Sequence, residues 1–286
     1  MFGSPSSLAF VTLASLASAI PLLPAEDKRQ NGGGLQALQG SITTLQLQLA
    51  TANNTVADFS ADGIIDGITG LIKVNSAVVQ LGDDITKTTQ VANDTTRLSA
   101  TDSTTVGLQF LGVQPDITRL LTNLDGKKPD FDKAGLKILD VRSLIRDSVS
   151  IQQTNAKTLG SSLINALDPS LAGIAQPIND QIQGNFTATV NAFQGRGGAI
   201  KIPTKLVPAL SDILDGLGRA LGISDDTSSS GGGGKGAKGA EVDTNSNLLM
   251  PQISQSDLDK LGPDENDWSL VPFPVAVALR RFGFDG

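Results

Sequence analysis

The side chains that could do chemistry in this sequence of 286 residues are carboxylates, hydroxyls and amines, because it contains no cysteine, histidine or tyrosine. Close carboxylate pairs could act as general acid and base, and the sequence has three, at Asp62 and Asp66, Asp83 and Asp84, and Asp130 and Asp132. That chemistry needs an apolar pocket that raises one pKa. Here the pairs fall on polar faces or at helix starts, where negative charge favours the helix dipole. A structural role is therefore expected, and no catalytic residue is predicted.

The composition excludes several classes of function. Without thiol or imidazole groups there is no Cys/His zinc site and no serine–histidine or cysteine–histidine hydrolase. The spacing of Asp225, Asp226 and Asp243 matches no EF-hand loop, so neither a metal nor a cofactor is expected. The net charge of −7 makes nucleic-acid binding unfavourable. The enzyme class that remains open is a hydrolase whose catalytic groups are carboxylates.

The N-terminal sequence predicts export. Residues 1–19 contain an apolar stretch followed by small residues up to Ala19, which is typical of a signal peptide and too short to span a bilayer. Residues 20–29 contain two prolines and end in the dibasic pair Lys28-Arg29, as in a pro-segment that a processing protease removes. We therefore expect an extracellular protein without a transmembrane segment. Three Asn-x-Thr sequons agree with this route and predict glycans at Asn53, Asn93 and Asn185.

The body of the chain shows helical periodicity throughout. Apolar residues recur in steps of three and four along five segments, approximately 35–59, 62–91, 106–124, 131–167 and 171–193. No run alternates in the manner of a strand. The pattern predicts an all-α fold, an antiparallel bundle of about five amphipathic helices.

Two prolines mark the helix junctions. Pro115 lies inside the third pattern and should kink that helix or mark a fresh start. The chain then breaks at Gly126-Lys127-Lys128-Pro129, and Asp130 is the candidate N-cap of the fourth helix.

We divide the mature chain into four parts. Residues 30–195 form the bundle domain, and 196–224 contain an additional amphipathic helix at 205–222 that caps the bundle or lies on an apolar surface. Residues 225–247 are a Gly/Ser-rich linker. The last part, 248–286, is acidic and contains prolines. Its sequence predicts either a short docking segment or disorder, and we assign it as a disordered tail.

Periodicity alone leaves the character of the core open. A bundle rich in leucine, isoleucine and valine and poor in aromatic residues could enclose an acyl chain, which would gain about 0.8 kcal/mol per buried CH₂. The simpler alternative is that every apolar stripe packs against another and leaves no room. Sequence pattern does not distinguish a full core from a core with a tunnel.

The junction between the third and fourth patterns resembles a known family. Residues 120–135 read LLTNLDGKKPDFDKAG, and this segment is similar to the hydrophobic surface binding protein A family, also called cell wall galactomannoproteins, which are secreted fungal proteins. The likeness extends from about Leu35 to Gly195 and includes the last helix, NDQIQGNFTATVNAF. It implies a helical domain that adsorbs to hydrophobic surfaces or encloses fatty acids, with no catalytic residues.

That resemblance favours a cavity over a solid core. Candidate lining positions are the facing apolar residues Leu45, Leu49, Ile68, Leu71, Phe110, Ile117, Leu121, Ile138, Ile145, Ile182 and Phe186. Four phenylalanines could gate an opening or plug the centre: Phe110, Phe131, Phe186 and Phe193. The expected partners are a fatty acid or another apolar ligand, a hydrophobic surface, and in the wall a polysaccharide. The alternative function is a structural cell wall mannoprotein with a solid core and no small-molecule ligand.

Overall fold

A computed structural model describes residues 34–62, 64–202, 204 and 253–281. The additional helix predicted at 205–222, the linker at 225–247 and the two processing segments before residue 30 lie outside these ranges. The described residues form helices α1 Leu35–Ala57, α2 Ile64–Asp94, α3 Ala100–Leu111, α4 Val113–Gly126, α5 Lys128–Ala134, α6 Val141–Ala166, α7 Pro169–Ala192, α8 Gln255–Leu258 and α9 Phe273–Arg281. Within the same ranges, two short strands of two residues each, β1 Leu139–Asp140 and β2 Ile200–Lys201, pair in parallel. The predicted all-α class is confirmed.

The long helices close a ring. Helix α1 packs against α2 and α4, α6 packs against α2 and α7, and α4 completes the circuit by packing against α7. Helix α3 lies against α1 and α7, and α5 lies against α2 and α6. The predicted seams face the common interior: along α1, Leu38, Ile42, Leu45, Leu49, Ala52 and Val56 are all buried. Burial of one apolar stripe per helix therefore accounts for the ring.

Two hydrogen bonds show that α1 and α2 run antiparallel. Gln48 donates to Gln80 across α1 and α2 at 3.4 Å, and nearer the start of α1 the hydroxyl of Thr88 donates to the carbonyl of Ser41 at 3.4 Å. The partner number falls as the residue number rises on the facing helix, so the two helices run in opposite directions. The short connections between consecutive helices have the same consequence.

The third predicted helix is two helices. It breaks at Gly112, where α3 ends and α4 begins, and Pro115 occupies the first turn of α4. The first N–H groups of a helix have no partner within it, so a proline there costs no hydrogen bond. Of the two roles expected for Pro115, the structure shows the fresh start.

The prediction of one long fourth helix capped by Asp130 is wrong. Helix α5 already begins at Lys128 and leaves Asp130 inside its first turn. After α5 the backbone turns at Leu136 and Lys137, whose φ angles of 53° and 59° are left-handed. Helix α6 then starts with Asp140 as its N-cap, which accepts from the N–H of Ser143 at 3.2 Å. The spacing of apolar residues does not reveal two residues with left-handed backbone, so the periodicity predicted one helix where the structure has two.

The prediction of a disordered tail is wrong for residues 253–281. Ile253, Leu258, Val271 and Leu279 are buried in the same hydrophobic core as the bundle. Their hydrophobic burial, sparse as it is, supplies the free energy that orders this segment. No helix in the described ranges is long and apolar enough to cross a membrane.

A buried ion pair attaches this C-terminal segment. Asp140 is fully buried, Arg196 is 4% exposed, and Nε of Arg196 lies 2.9 Å from Oδ2 of Asp140. Arg196 also donates from Nη1 to the carbonyls of Gly262 and Pro263, both at 3.1 Å. The guanidinium thus connects the start of α6 to the segment that precedes α9.

Candidate functional site

A small cavity, the interior chamber, lies inside the helix ring. Its volume is about 40 Å³, and side chains from α1, α2, α3, α4, α6 and α7 line it: Leu45, Leu49, Val78, Leu81, Ile85, Phe110, Val113, Ile117, Leu120, Leu121, Leu124, Val149, Gln152, Ala156, Leu159, Ile182 and Phe186. Gln152 is the one polar member of this set. A site that can hold one water needs roughly 10–15 Å³, so the chamber has room for only a few water molecules. An acyl chain could enter it only if the surrounding side chains moved apart.

A larger apolar cavity, the α3–α7 groove, lies between α3, α6 and α7. Its volume is about 220 Å³, and its lining is Thr104, Val106, Gly107, Leu108, Phe110, Leu111, Gly160, Leu163, Ile164, Leu167, Leu171, Ile174, Ala175, Ile178 and Asn179. An engineered apolar cavity of about 150 Å³ in another protein stays dry and binds benzene. The groove is therefore large enough for part of an apolar guest without rearrangement.

Phe110 connects the two cavities. Its half-buried ring lines both the interior chamber and the α3–α7 groove. Phe110 lies next to the end of α3, a helix of 12 residues. Phe110 is thus the residue that the linings of the two cavities share.

The structure brings together part of the predicted lining. The interior chamber includes seven of the predicted residues, Leu45, Leu49, Phe110, Ile117, Leu121, Ile182 and Phe186. The other four, Ile68, Leu71, Ile138 and Ile145, are buried in the hydrophobic core but line neither cavity. Ile68, Leu71 and Ile145 lie a turn or more along the chain from the lining residues of their own helices, and Ile138 lies in the turn between α5 and β1. An apolar residue that packs in the solid core and one that lines a cavity give the same periodicity in the sequence. The pattern could therefore not separate the two groups.

Two of the four candidate phenylalanines fill the core. Phe131 stacks on Phe59 with ring centroids 4.5 Å apart, and Phe193 lies 6.2 Å from Phe131 at a tilt. Phe131 and Phe193 are fully buried. This aromatic cluster closes the bundle at the α5 end, whereas Phe110 and Phe186 line the interior chamber.

The groove was not predicted, and its polar residue was missed. Asn179 lies beside the apolar seam of α7, among isoleucines, where an amide is out of place. Pro177, two residues earlier, sits inside α7 and has no N–H to donate to the preceding turn. An amide and a proline inside an apolar stripe were the available sequence signals for this site.

The acidic pairs have structural partners. Asp84 pairs with Lys87 at 3.0 Å, and Arg142 holds Asp132 through two bonds of 2.6 and 2.7 Å. Asp62 accepts a hydrogen bond from Ser60 at 2.9 Å. None of the six carboxylates lines the chamber or the groove. Within the described ranges, no three acidic residues come together as a metal site.

One half-buried carboxylate, that of Asp125 on α4, is imperfectly satisfied. Its Oδ1 is buried without a hydrogen-bond partner, while Oδ2 accepts from the hydroxyl of Thr189 at 3.3 Å. Burial raises the pKa of Asp125, and the hydroxyl and Lys128 only partly oppose this change. The folded state therefore favours the protonated form more strongly than the unfolded state does.

An Asp125→Asn variant should consequently melt at a higher temperature than the parent protein at pH 7. Because the folded pKa is raised, stability falls as pH rises through the ordinary aspartate range, and the amide escapes that loss. The difference in Tm should shrink as pH falls below that range, where Asp125 is protonated in both states. Thermal melts from pH 3 to pH 7 would measure it, and a pH-independent difference would contradict the assignment.

These features define a class of protein: a helical bundle in which two apolar cavities share one phenylalanine as a lining residue. Residues 35–165 match the family model of hydrophobic surface binding protein A, which confirms over that range the resemblance seen in the sequence. No curated protein matches the chain.

Solved structures share the fold. Afmp4p in complex with palmitic acid has a TM-score of 0.51 and 24% sequence identity, covering 56% of this chain and 99% of that one. Ligand binding domain 2 of the Penicillium marneffei MP1 protein, in complex with arachidonic acids, has a TM-score of 0.50 and 18% identity, covering 61% of this chain and 99% of that one. At these identities the likeness establishes the architecture alone.

Proposed function

We propose that this protein binds single-chain lipids, fatty acids among them, without chemical conversion. The observation that carries the proposal is the pair of apolar cavities that share the ring of Phe110. The α3–α7 groove receives the guest, and displacement of Phe110 lets the chain extend into the interior chamber. A pocket for a drug-sized ligand measures about 300–1,000 Å³, so the bundle must open further as the chain enters.

The energetics favour such opening. Each CH₂ that leaves water contributes about 0.8 kcal/mol, so burial of a long chain offsets a substantial rearrangement of side chains. Leucine and isoleucine dominate the chamber walls, and these side chains can pack against a hydrocarbon as well as against each other. The two structures named above, which contain palmitic and arachidonic acids, support this choice of guest by analogy of fold.

Native mass spectrometry of the purified mature chain would test the proposal. We expect acyl mass to accompany the folded protein, and delipidated protein to bind a fluorescent fatty acid that unlabelled fatty acid displaces. A clean mass together with no uptake of the probe would instead support the alternative, a structural wall mannoprotein that interacts with polysaccharide.

Adsorption to hydrophobic surfaces is a second candidate function. Leu108 is 65% exposed and Ile174 is 63% exposed, and both lie at the mouth of the α3–α7 groove. Exposed apolar residues gathered in one place mark an interaction surface. A Leu108→Ser/Ile174→Ser variant should adsorb less to hydrophobic beads, with Leu47→Ser, on the exposed face of α1, as the control.

We further propose that the mature protein is secreted, either freely or in loose association with a cell wall. The predicted signal peptide ending at Ala19 and the predicted cleavage after Lys28-Arg29 support this location, and N-terminal sequencing of the secreted protein should begin at Gln30. Among the sequons, Asn93 is exposed near the end of α2, whereas Asn53 accepts a 2.8 Å bond from Asn123 and Asn185 donates to Thr118. Asn93 is therefore the site most compatible with a glycan.

We also propose that the protein is not an enzyme. The side chains that line the two cavities include one hydroxyl, that of Thr104, two amides and no ionisable group. Such a lining can bind and orient a guest, but it offers no group that titrates near neutral pH and could transfer a proton.

A further inference from the structure

The α3–α7 groove contains a buried amide with unused hydrogen-bonding capacity. Asn179 is 6% exposed, lines the groove, and makes no side-chain hydrogen bond with any residue in the described ranges. Among the described residues, the side-chain polar atoms that are both inaccessible to solvent and without a hydrogen-bond partner are Oδ1 of Asp125 and Nε2 of Gln183. The amide atoms of Asn179 are not in this group, so they remain accessible. Asn179 therefore meets the groove space itself. Burial of an unpaired amide costs free energy, and a ligand that supplies the missing bonds recovers it.

Gly160 makes this placement possible. A Cβ at position 160 would overlap Oδ1 of Asn179, so the amide lies against the backbone of α6 at the one point where α6 has no side chain. The amide therefore lies between α6 and α7.

The charge of the groove restricts the head group that Asn179 can receive. Thr104 and Asn179 are its only polar lining residues, and no lysine or arginine lines it. An ionised carboxylate brought to Asn179 would lose its hydration and find no positively charged side chain in exchange. Burial of such a charge is strongly unfavourable. An uncharged group that both donates and accepts, such as a hydroxyl, can bond to the amide oxygen and the amide N–H at once.

We propose that Asn179 is a specificity-determining residue that selects long-chain guests with an uncharged hydroxyl head group over those with an ionised carboxylate. This inference rests on the proposed function, because it assigns the head-group end of the same apolar site. The hydrocarbon chain then extends from Asn179 along the groove toward Phe110 and the interior chamber.

Competition against diphenylhexatriene, an apolar fluorophore without a head group, tests the inference at pH 7. We expect the parent protein to bind 1-dodecanol at least tenfold more tightly than dodecanoate. Asn179→Leu, similar in size but apolar, should reduce the affinity for 1-dodecanol about tenfold and leave diphenylhexatriene binding intact. Asn191→Leu, an exposed position on the same helix, is the matched control and should behave as the parent.

The outcomes separate this inference from the proposed function. Equal binding of alcohol and carboxylate by the parent protein, or a preference that survives in Asn179→Leu, overturns the role of Asn179 while lipid binding stands. Failure of the folded parent protein to bind diphenylhexatriene, alcohol or carboxylate overturns both. A Gly160→Ala variant gives a second test, since its methyl group must displace the Asn179 amide and should also weaken alcohol binding selectively.

Discussion

An Ala175→Trp variant is expected to lose lipid binding while remaining folded. Ala175 is half-buried on α7 and lines the α3–α7 groove, whose volume is about 220 Å³. An indole ring in this space would exclude several methylene groups of a guest. Exclusion of three forfeits about 2.4 kcal/mol, so affinity for a fluorescent fatty acid should fall fiftyfold or more. Titration of the probe into both proteins measures the change.

The control for this variant is Ala188→Trp. Ala188 is exposed on the same helix, away from both cavities, so the same change in size should leave the affinity close to that of the parent. Circular dichroism melts would establish that both variants fold. Unchanged affinity in folded Ala175→Trp would mean that the guest does not use the groove.

Asp140→Ala should cause the largest loss of stability. The substitution strands the buried guanidinium of Arg196 and removes the cap of α6 and the acceptor for the N–H of Gly197 at 2.8 Å. Removal of one partner from a buried ion pair typically costs about 3–5 kcal/mol. Urea denaturation should show this decrease in the free energy of unfolding.

Asp132→Ala provides the comparison. Asp132 pairs with Arg142 through two short bonds, but both side chains keep contact with solvent, at 30% and 20% exposure. Water can solvate the charge left behind, so the cost should be about 1 kcal/mol or less. Equal decreases in the free energy of unfolding for the two variants would contradict the view that burial of Arg196 makes loss of Asp140 more costly.

One end of the bundle is closely packed, and the other end contains the α3–α7 groove. The aromatic cluster of Phe59, Phe131 and Phe193 and the Asp140–Arg196 pair lie where α5, β1 and the start of α6 meet. The α3–α7 groove lies along the last turns of α6, where packing leaves space. Under the proposed function, the helices would part at the groove while the packing at the other end keeps their register.

Much of the architecture could be predicted from the sequence. The stripe from Leu38 to Val56 gave α1, and similar stripes gave the other members of the ring, because a helix in water must bury its apolar face. The breaks could not be predicted in the same way. The left-handed turn at Leu136 and Lys137 and the capping role of Asp140 depend on contacts with residues about 60 positions later, such as Gly197.

The sequence by itself determined the helical class, the inward faces of the helices and the absence of thiol and imidazole chemistry, since composition and 3.6-residue periodicity are local properties. Only the tertiary structure decided which buried residues surround empty space. Leu71 and Leu121 are the same type of residue and both are buried, yet of the two only Leu121 borders the interior chamber. A cavity exists where helices from distant parts of the chain fail to fill the space between them, and no single stripe records that geometry.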